Sequence, residues 1–276
     1  MPSIKKLCLR ALCAVALCVG ASFAAAMPTD EQLMSNGLAA LNQHKFGDAV
    51  ADFQKVLKHT PTHYGANFQL GRALDGAGKK QQARAQWKKA LAMALSIRDW
   101  ETANLCMGHL PDLYPAYEVT TSLGNFFLRL DRSSAPASAD NFIAYAGEKF
   151  FDGTIFNRIY PGSFVQGGGI TPDGKPKPHA RPAIKLESQN GLKNIRGAVV
   201  MARTDAPDSA EVQWFIDTAD NAWMDYHSPS DRGYAVFGYV VGGMDVVDKI
   251  QNVPLNPDTS PKTPVVIVSV RPSPKD

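Results

Sequence analysis

Residues 150–169 have the sequence FFDGTIFNRIYPGSFVQGGG. It places one arginine, Arg158, inside an apolar run, follows it with a Pro-Gly turn, and then sets Gln166 against three glycines. No histidine, cysteine or carboxylate stands between Arg158 and Gln166. Any chemistry here therefore depends on hydrogen-bond donors beside apolar groups.

Around this stretch the sequence has the pattern of strands. YEVTTSL and NFFLRLD flank Gly124 and Asn125 as a hairpin, and further short apolar runs lie between Gly, Asp and Pro. These further runs are AVVMAR (198–203), VQWFID (212–217), YAVFGYVV (234–241) and VVIVSV (265–270). SADNFIAYA (138–146) and GGMDVVDKIQNV (242–253) indicate two helices. Many short strands with two helices predict a closed antiparallel β-barrel.

The preceding residues follow a helical pattern instead. Apolar residues recur at helical spacing from Glu31 to about Leu110, and four pairs of positions are 34 residues apart. The pairs are Gly37 and Gly71, Ala49 and Ala83, Phe53 and Trp87, and Val56 and Ala90. Small residues let two helices approach and an aromatic ring fills the space beside them. The segment resembles tetratricopeptide repeats (TPR), which bind a peptide or protein partner or act as a spacer.

The first 26 residues have the order of a secretory signal peptide. Basic residues precede the apolar stretch ALCAVALCVGASF, and Ala24 to Ala26 follow it. The stretch is too short to span about 30 Å of hydrocarbon comfortably, which favours cleavage over a permanent anchor. We expect an exported product without a stable membrane span, most simply in the bacterial periplasm.

Removing this segment would change the charge and the cysteine count. Lys5, Lys6 and Arg10 account for the whole formal net charge of +3, so the exported product is formally neutral. A neutral chain has no excess positive charge to attract nucleic acid. Only Cys106 would stay, which excludes an intrachain disulfide. The sequence also lacks the motifs of metal, nucleotide and serine-hydrolase sites, and His179 and His227 lie in Pro- or Ser-rich loops.

Four ordered blocks resemble the cyclophilin-type peptidyl-prolyl isomerases, especially the bacterial ones. They are the opening stretch, NGLKNIRGAVVMART (190–204), AEVQWFIDTADNAWMD (210–225) and GYAVFGYVVGGMDVVDKI (233–250). The resemblance implies an eight-stranded barrel capped by two helices, with a groove for Pro-containing polypeptides on its outer face and no metal or cofactor. The expected organisation is a signal peptide (1–26), a TPR-like region (27–110), a linker (111–116), the isomerase domain (117–272) and a tail (273–276).

The resemblance also implies the site residues. Arg158 matches the catalytic arginine, and Gln166 the glutamine that orients substrate and arginine. The implied substrate-binding residues are Phe164, Ala202, Arg203, Thr204, Gln213, Phe215, Trp223, Met224 and Tyr234. Spacing alone does not exclude that Arg158 is a structural surface arginine.

Two departures from the family pattern bear on the pocket. Asn157 replaces a histidine, and Ser163 replaces a phenylalanine of the proline pocket. Adjacent strand residues point to opposite faces, so Phe164 is expected not to refill the space beside Ser163. A second hypothesis follows from this loss: a Pro-segment-binding chaperone or scaffold with weak or absent catalysis. In that case the helical repeats would hold a partner.

Overall fold

The structure is a computed structural model that describes residues 27–273. The proposed signal peptide and the last three residues of the proposed tail lie outside the described residues. The helices are α1 (Asp30–Asn42), α2 (Phe46–His59), α3 (Tyr64–Gly76), α4 (Lys80–Ser96), α5 (Trp100–Gly108), α6 (Pro136–Gly147) and α7 (Met244–Gln251). The strands are β1 (Ala116–Thr121), β2 (Gly124–Leu130), β3 (Thr154–Tyr160), β4 (Phe164–Ile170), β5 (Ala198–Met201), β6 (Trp214–Asp217), β7 (Val236–Gly242) and β8 (Val265–Pro272).

The first four helices form two antiparallel hairpins, and α5 packs after them. A Cβ at Gly37 would lie 2.7 Å from the Phe53 ring, and one at Gly71 would lie 2.9 Å from the Trp87 ring. Each hairpin therefore depends on a glycine that lets an aromatic ring of the second helix lie against the first. The predicted helical hairpins are confirmed.

The eight strands close an antiparallel barrel. Their order around it is β1-β2-β7-β5-β6-β4-β3-β8, and β8 pairs with β1. Phe142 of α6 contacts Trp214 inside the barrel, and Val247 and Ile250 of α7 belong to the same core. The barrel with two capping helices is the predicted fold, and Trp214 is fully buried as expected.

The three glycines of the opening stretch let β4 lie close to its neighbours. A Cβ at Gly167 would lie 2.9 Å from the Phe156 backbone, and one at Gly168 would lie 2.6 Å from the Trp214 indole nitrogen. Gly168 also has a φ of +88°, which L side chains rarely adopt. Larger residues here would push β4 away from β3 and from the core.

The helical region packs against the barrel through α5 and the turn before it. The Trp100 ring lies 4.9 Å from the Tyr239 ring of β7. Arg98 forms an ion pair with Asp220 of the loop after β6, at 2.9 Å. A cleft of about 480 Å³ lies between these contacts. Within residues 27–273, no helix has the length and apolar character needed to cross a membrane.

Candidate active site

A cavity of about 410 Å³ lies on the outer face of the barrel, across β3, β4 and β6. Its lining residues are Arg158, Tyr160, Ser163, Phe164, Gln166, Ala202, Arg203, Phe215, Trp223, Met224 and Tyr234. Thr204 and Gln213 line an adjoining cavity of about 260 Å³, which shares Gln166, Ala202 and Arg203 with the first. The structure thus brings all eleven sequence-predicted site residues together. Neither His179 nor His227 lines either cavity.

Strand register explains how three of these side chains meet. Arg158 of β3 pairs with Gln166 of β4, and Gln166 pairs with Phe215 of β6. Cross-strand partners point to the same face of a sheet. The arginine, the glutamine and the phenylalanine therefore form a row across the outer surface.

Hydrogen bonds fix the polar side of the cavity. Gln166 Nε2 donates to Gln213 Oε1 at 2.9 Å, which joins the two cavities. Arg158 Nη2 donates to the Tyr160 hydroxyl at 2.9 Å. Arg203 Nε donates to the Gly233 carbonyl at 2.9 Å. The donors that face the groove are held by neighbouring residues before any substrate binds.

Aromatic rings line the rest of the cavity, and two of them, Tyr160 and Tyr234, lie against Arg158 and Arg203. The Phe164 ring lies 5.1 Å from Phe215 and 5.0 Å from Tyr160, and Phe215 lies 5.7 Å from Tyr234. Trp223, by contrast, is 62% exposed and forms the rim. Tyr160, Phe164, Phe215 and Tyr234 thus form a continuous aromatic wall.

The expectation about Phe164 and Ser163 is wrong, because both residues line the cavity. Ser163 precedes β4 in the turn after Tyr160, where Ser163 N donates to the Tyr160 carbonyl, and Gly162 has a φ of +74°. The alternation of faces along a strand does not extend through such a turn. Phe164 therefore supplies an aromatic wall beside Ser163.

Ser163 also takes part in a buried polar network behind the cavity. Its hydroxyl donates to Asn221 Oδ1 at 3.2 Å, and Asn221 Nδ2 donates to the Ser163 carbonyl at 2.9 Å and to Asp217 Oδ1 at 2.6 Å. Burial raises the pKa of Asp217 to about 8, although the hydrogen bond from Asn221 opposes this. Asp217 is therefore mostly protonated at neutral pH.

The sequence reasoning missed Tyr160, Asn221 and Asp217. Tyr160 could have been found from its position two residues after Arg158 on the same strand, since alternate residues share a face. Asn221 and Asp217 carry no such signal, because the loop after β6 brings Asn221 to Ser163.

The Asn157 side-chain oxygen is buried, and no residue in the described part of the chain hydrogen-bonds to it.

No group of three or more His, Cys, Asp or Glu side chains in residues 27–273 is arranged to hold a metal ion. The site consists of hydrogen-bond donors beside an aromatic wall on the outside of a closed barrel. Residues 116–272 match the family described as cyclophilin type peptidyl-prolyl cis-trans isomerase/CLD. The chain belongs to this cyclophilin family.

Individual relatives agree with this assignment. The peptidyl-prolyl cis-trans isomerase of Acinetobacter baylyi is 49% identical over 158 residues, which are 56% of this chain and 83% of the relative. Peptidyl-prolyl cis-trans isomerase A of Dickeya dadantii is 49% identical over 157 residues, 55% of this chain and 82% of the relative. The cyclophilin is thus a peptidyl-prolyl cis-trans isomerase.

A solved structure supports the fold. The crystal structure of a cyclophilin-type peptidyl-prolyl cis-trans isomerase of Cryptosporidium parvum has a TM-score of 0.51 with this chain, at 21% identity. The likeness covers 59% of this cyclophilin and 99% of that protein. The helical region before the barrel lies outside the stretch that matches the family.

Proposed function

We propose that the cavity lined by Arg158, Gln166 and Phe215 is the active site, and that this cyclophilin isomerises X-Pro bonds in exported proteins and so assists their folding. The observation that carries the proposal is the row of these three side chains across β3, β4 and β6. It sets a permanent cation beside an apolar wall. The cation can donate a hydrogen bond to the proline nitrogen of a twisted X-Pro bond, and the apolar wall can hold the proline ring.

The chemistry follows from the amide bond. Rotation faces a barrier of about 18–20 kcal/mol because the nitrogen lone pair is delocalised into the carbonyl. In the twisted transition state the lone pair is localised on nitrogen, where the Arg158 guanidinium can donate a hydrogen bond to it. Arginine stays protonated, so the reaction involves no proton transfer. A donor that bonds more strongly to the twisted form than to either planar form lowers the barrier.

The other cavity residues hold the substrate during rotation. Phe164, Phe215 and Met224 enclose the proline ring, with Trp223 and Tyr234 at the rim. Gln166 orients the substrate; its amide donates to Gln213, and within residues 27–273 the hydrogen bond of the Arg158 side chain goes to Tyr160. In the adjoining cavity, the substrate backbone before the proline binds along the segment that follows β5 and beside the glutamine that immediately precedes β6. These residues are Ala202, Arg203, Thr204 and Gln213.

The rest of the chain suggests where the enzyme works. Residues 1–26 would direct export to the periplasm and be cleaved. Residues 27–110 form a TPR-like region that would hold a client or partner protein or act as a spacer, and residues 111–116 would link it to the isomerase domain at 117–272. The two helix hairpins with glycine-aromatic contacts support this organisation. Protein from a periplasmic fraction that begins near residue 27 would support export, and an intact N-terminus would contradict it.

The test of the site is the variant Arg158→Ala, assayed on an Ala-Pro peptide with residues 27–276. Loss of a donor aimed at transition-state charge typically costs about 100-fold or more in rate, and we expect a loss of that order. Arg72→Ala, at an exposed arginine of α3, is the matched control. Unchanged turnover in Arg158→Ala would refute the assignment. A wild-type rate no faster than the uncatalysed one would instead favour a binding protein without catalysis.

A further inference from the structure

Arg158 and Tyr160 lie on the same face of β3, two residues apart, and both line the cavity. Arg158 Nη2 donates to the Tyr160 hydroxyl at 2.9 Å. The guanidinium carbon lies 5.0 Å from the centre of the Tyr160 ring. The arginine therefore contacts the tyrosine through both the hydroxyl and the ring.

The strand partner of Arg158 is engaged elsewhere. Gln166 pairs with Arg158 in the sheet, but its amide donates to Gln213 at 2.9 Å. Over residues 27–273, the hydrogen bond of the Arg158 side chain goes to Tyr160. A long side chain on an exposed strand position samples several rotamers unless a neighbour selects one. Here that neighbour is Tyr160.

Tyr160 can select a rotamer because its own position is fixed. Its ring lies 5.0 Å from the Phe164 ring, and its backbone pairs with Phe164 across the β3–β4 hairpin. The residue before it, Ile159, donates from its backbone to the Thr259 carbonyl at 3.0 Å. The hydroxyl is therefore presented to Arg158 by a ring that contacts Phe164 on one side and is 36% exposed, carried on a paired strand.

We propose that Tyr160 is a positioning residue of this enzyme: its hydroxyl holds the Arg158 guanidinium over the groove, and its ring extends the aromatic wall that Phe164 and Phe215 form. The proposal rests on the proposed role of Arg158. A guanidinium has five N–H donors, so the bond to Tyr160 leaves others for the proline nitrogen. The arrangement makes part of the catalytic rate depend on one hydroxyl group.

This dependence gives the proposal a distinctive pH response. The hydrogen bond and the charge of Arg158 lower the pKa of Tyr160 from the ordinary tyrosine value of about 10. Arg158 is the charged group at the hydroxyl; Phe164 of β4 and Thr259 of the loop before β8 are uncharged. A tyrosinate would hold the guanidinium as an ion pair and weaken its interaction with the substrate nitrogen. We expect activity to fall at alkaline pH as Tyr160 ionises.

The decisive variant is Tyr160→Phe, which keeps the ring and removes the hydroxyl. Exchange NMR on an Ala-Pro peptide without titratable side chains gives kcat and KM from neutral to alkaline pH. We expect kcat to fall about three- to tenfold, the rate equivalent of one net hydrogen bond, with KM unchanged and the alkaline loss abolished. Tyr160→Leu, which also removes the ring, should raise KM in addition. Tyr226→Phe, at a tyrosine outside both cavities, is the matched control.

The outcomes separate this proposal from the site assignment. Suppose that Arg158→Ala is inactive while Tyr160→Phe keeps the wild-type kcat and the same loss of activity at alkaline pH. This result would overturn the role of Tyr160 and leave the site assignment intact. An active Arg158→Ala would overturn the site assignment first. If Tyr160→Leu does not fold, Tyr160→Phe still decides the question, because it leaves the packing of the ring intact.

Discussion

The Trp100 ring of α5 lies 4.9 Å from the Tyr239 ring of β7, on an apolar cluster that also contains Phe215 and Met224. The helical region therefore packs on the same outer surface of the barrel that forms the back of the proposed proline pocket. Burial raises the pKa of Tyr239. The contact is part of the barrel's packing as well as a link between two regions.

The first prediction is that residues 116–276 fold and isomerise an Ala-Pro peptide without the helical region, but unfold at a lower temperature than residues 27–276. The barrel should fold because it has its own hydrophobic core. Truncation removes Trp100, which covers Tyr239, and Asn104, whose Oδ1 accepts a hydrogen bond from Arg129 Nε at 3.1 Å. Calorimetry and the isomerase assay on both segments check this. An unfolded short segment would show that the helical region completes the barrel.

The same contact can be tested in the whole chain. Trp100→Ala should lower the free energy of unfolding by about 1–2 kcal/mol, because a half-buried aromatic side chain loses its apolar contact with Tyr239. Ile97→Ala, at a residue that is 62% exposed in the preceding turn, serves as control. Equal denaturation midpoints for the two variants would contradict a stabilising role of this contact.

Ser163→Phe should weaken binding of an Ala-Pro peptide. Phe164 already lies against Phe215, and the added ring would crowd the cavity and break the hydrogen bond to Asn221. Overpacking of this kind typically costs about 1–3 kcal/mol. Peptide titrations of wild type, Ser163→Phe and Ser163→Ala separate crowding from the lost hydrogen bond. Tighter binding by Ser163→Phe would mean that the cavity lacks a wall.

We expect the free energy of unfolding to fall as pH rises because Asp217 is buried. Its folded pKa of about 8 lies above the unfolded value of 3.8, so the folded state binds the extra proton between these two values. The proton's contribution to the free energy of unfolding is therefore fully present below about pH 4. It decreases by up to about 1.4 kcal/mol per pH unit as the pH rises towards 8. In Asp217→Asn this dependence should disappear. Urea unfolding from pH 5 to 8, with Asp245→Asn at an exposed carboxylate as control, measures it; parallel curves for wild type and Asp217→Asn would contradict the prediction.

Cys106 should resist thiol reagents while the helical region is folded. It is fully buried, and burial raises the pKa of its thiol to about 12. It is also the only cysteine in residues 27–276, so labelling reports on this region alone. We expect slow modification at pH 8 in buffer and rapid modification in denaturant. Rapid labelling in buffer would show that the α3–α5 packing opens readily.

Periodicity and motif order were enough to predict the architecture. The 34-residue repeat predicted helix hairpins in which small residues let an aromatic ring lie against the facing helix, as Trp87 does at Gly71, because helix geometry is local and repeats. Strand pairing is not local. Nothing in the spacing of Arg158, Gln166 and Phe215 shows that they form one row, and that arrangement depends on the register of three strands.

The helical hairpins, the barrel with its two capping helices, the family and the set of candidate site residues could be predicted from the sequence. These features depend on side-chain periodicity and on motifs within continuous segments. The folded chain was needed to show that Ser163 and Phe164 line the same cavity, that Arg158 donates to Tyr160, and that Asp217 is buried behind Asn221. The positions of Ser163 and Asn221 depend on how a turn or a loop leaves its strand, and the bond from Arg158 to Tyr160 depends on which rotamer the arginine adopts on β3. Side-chain periodicity specifies neither of these.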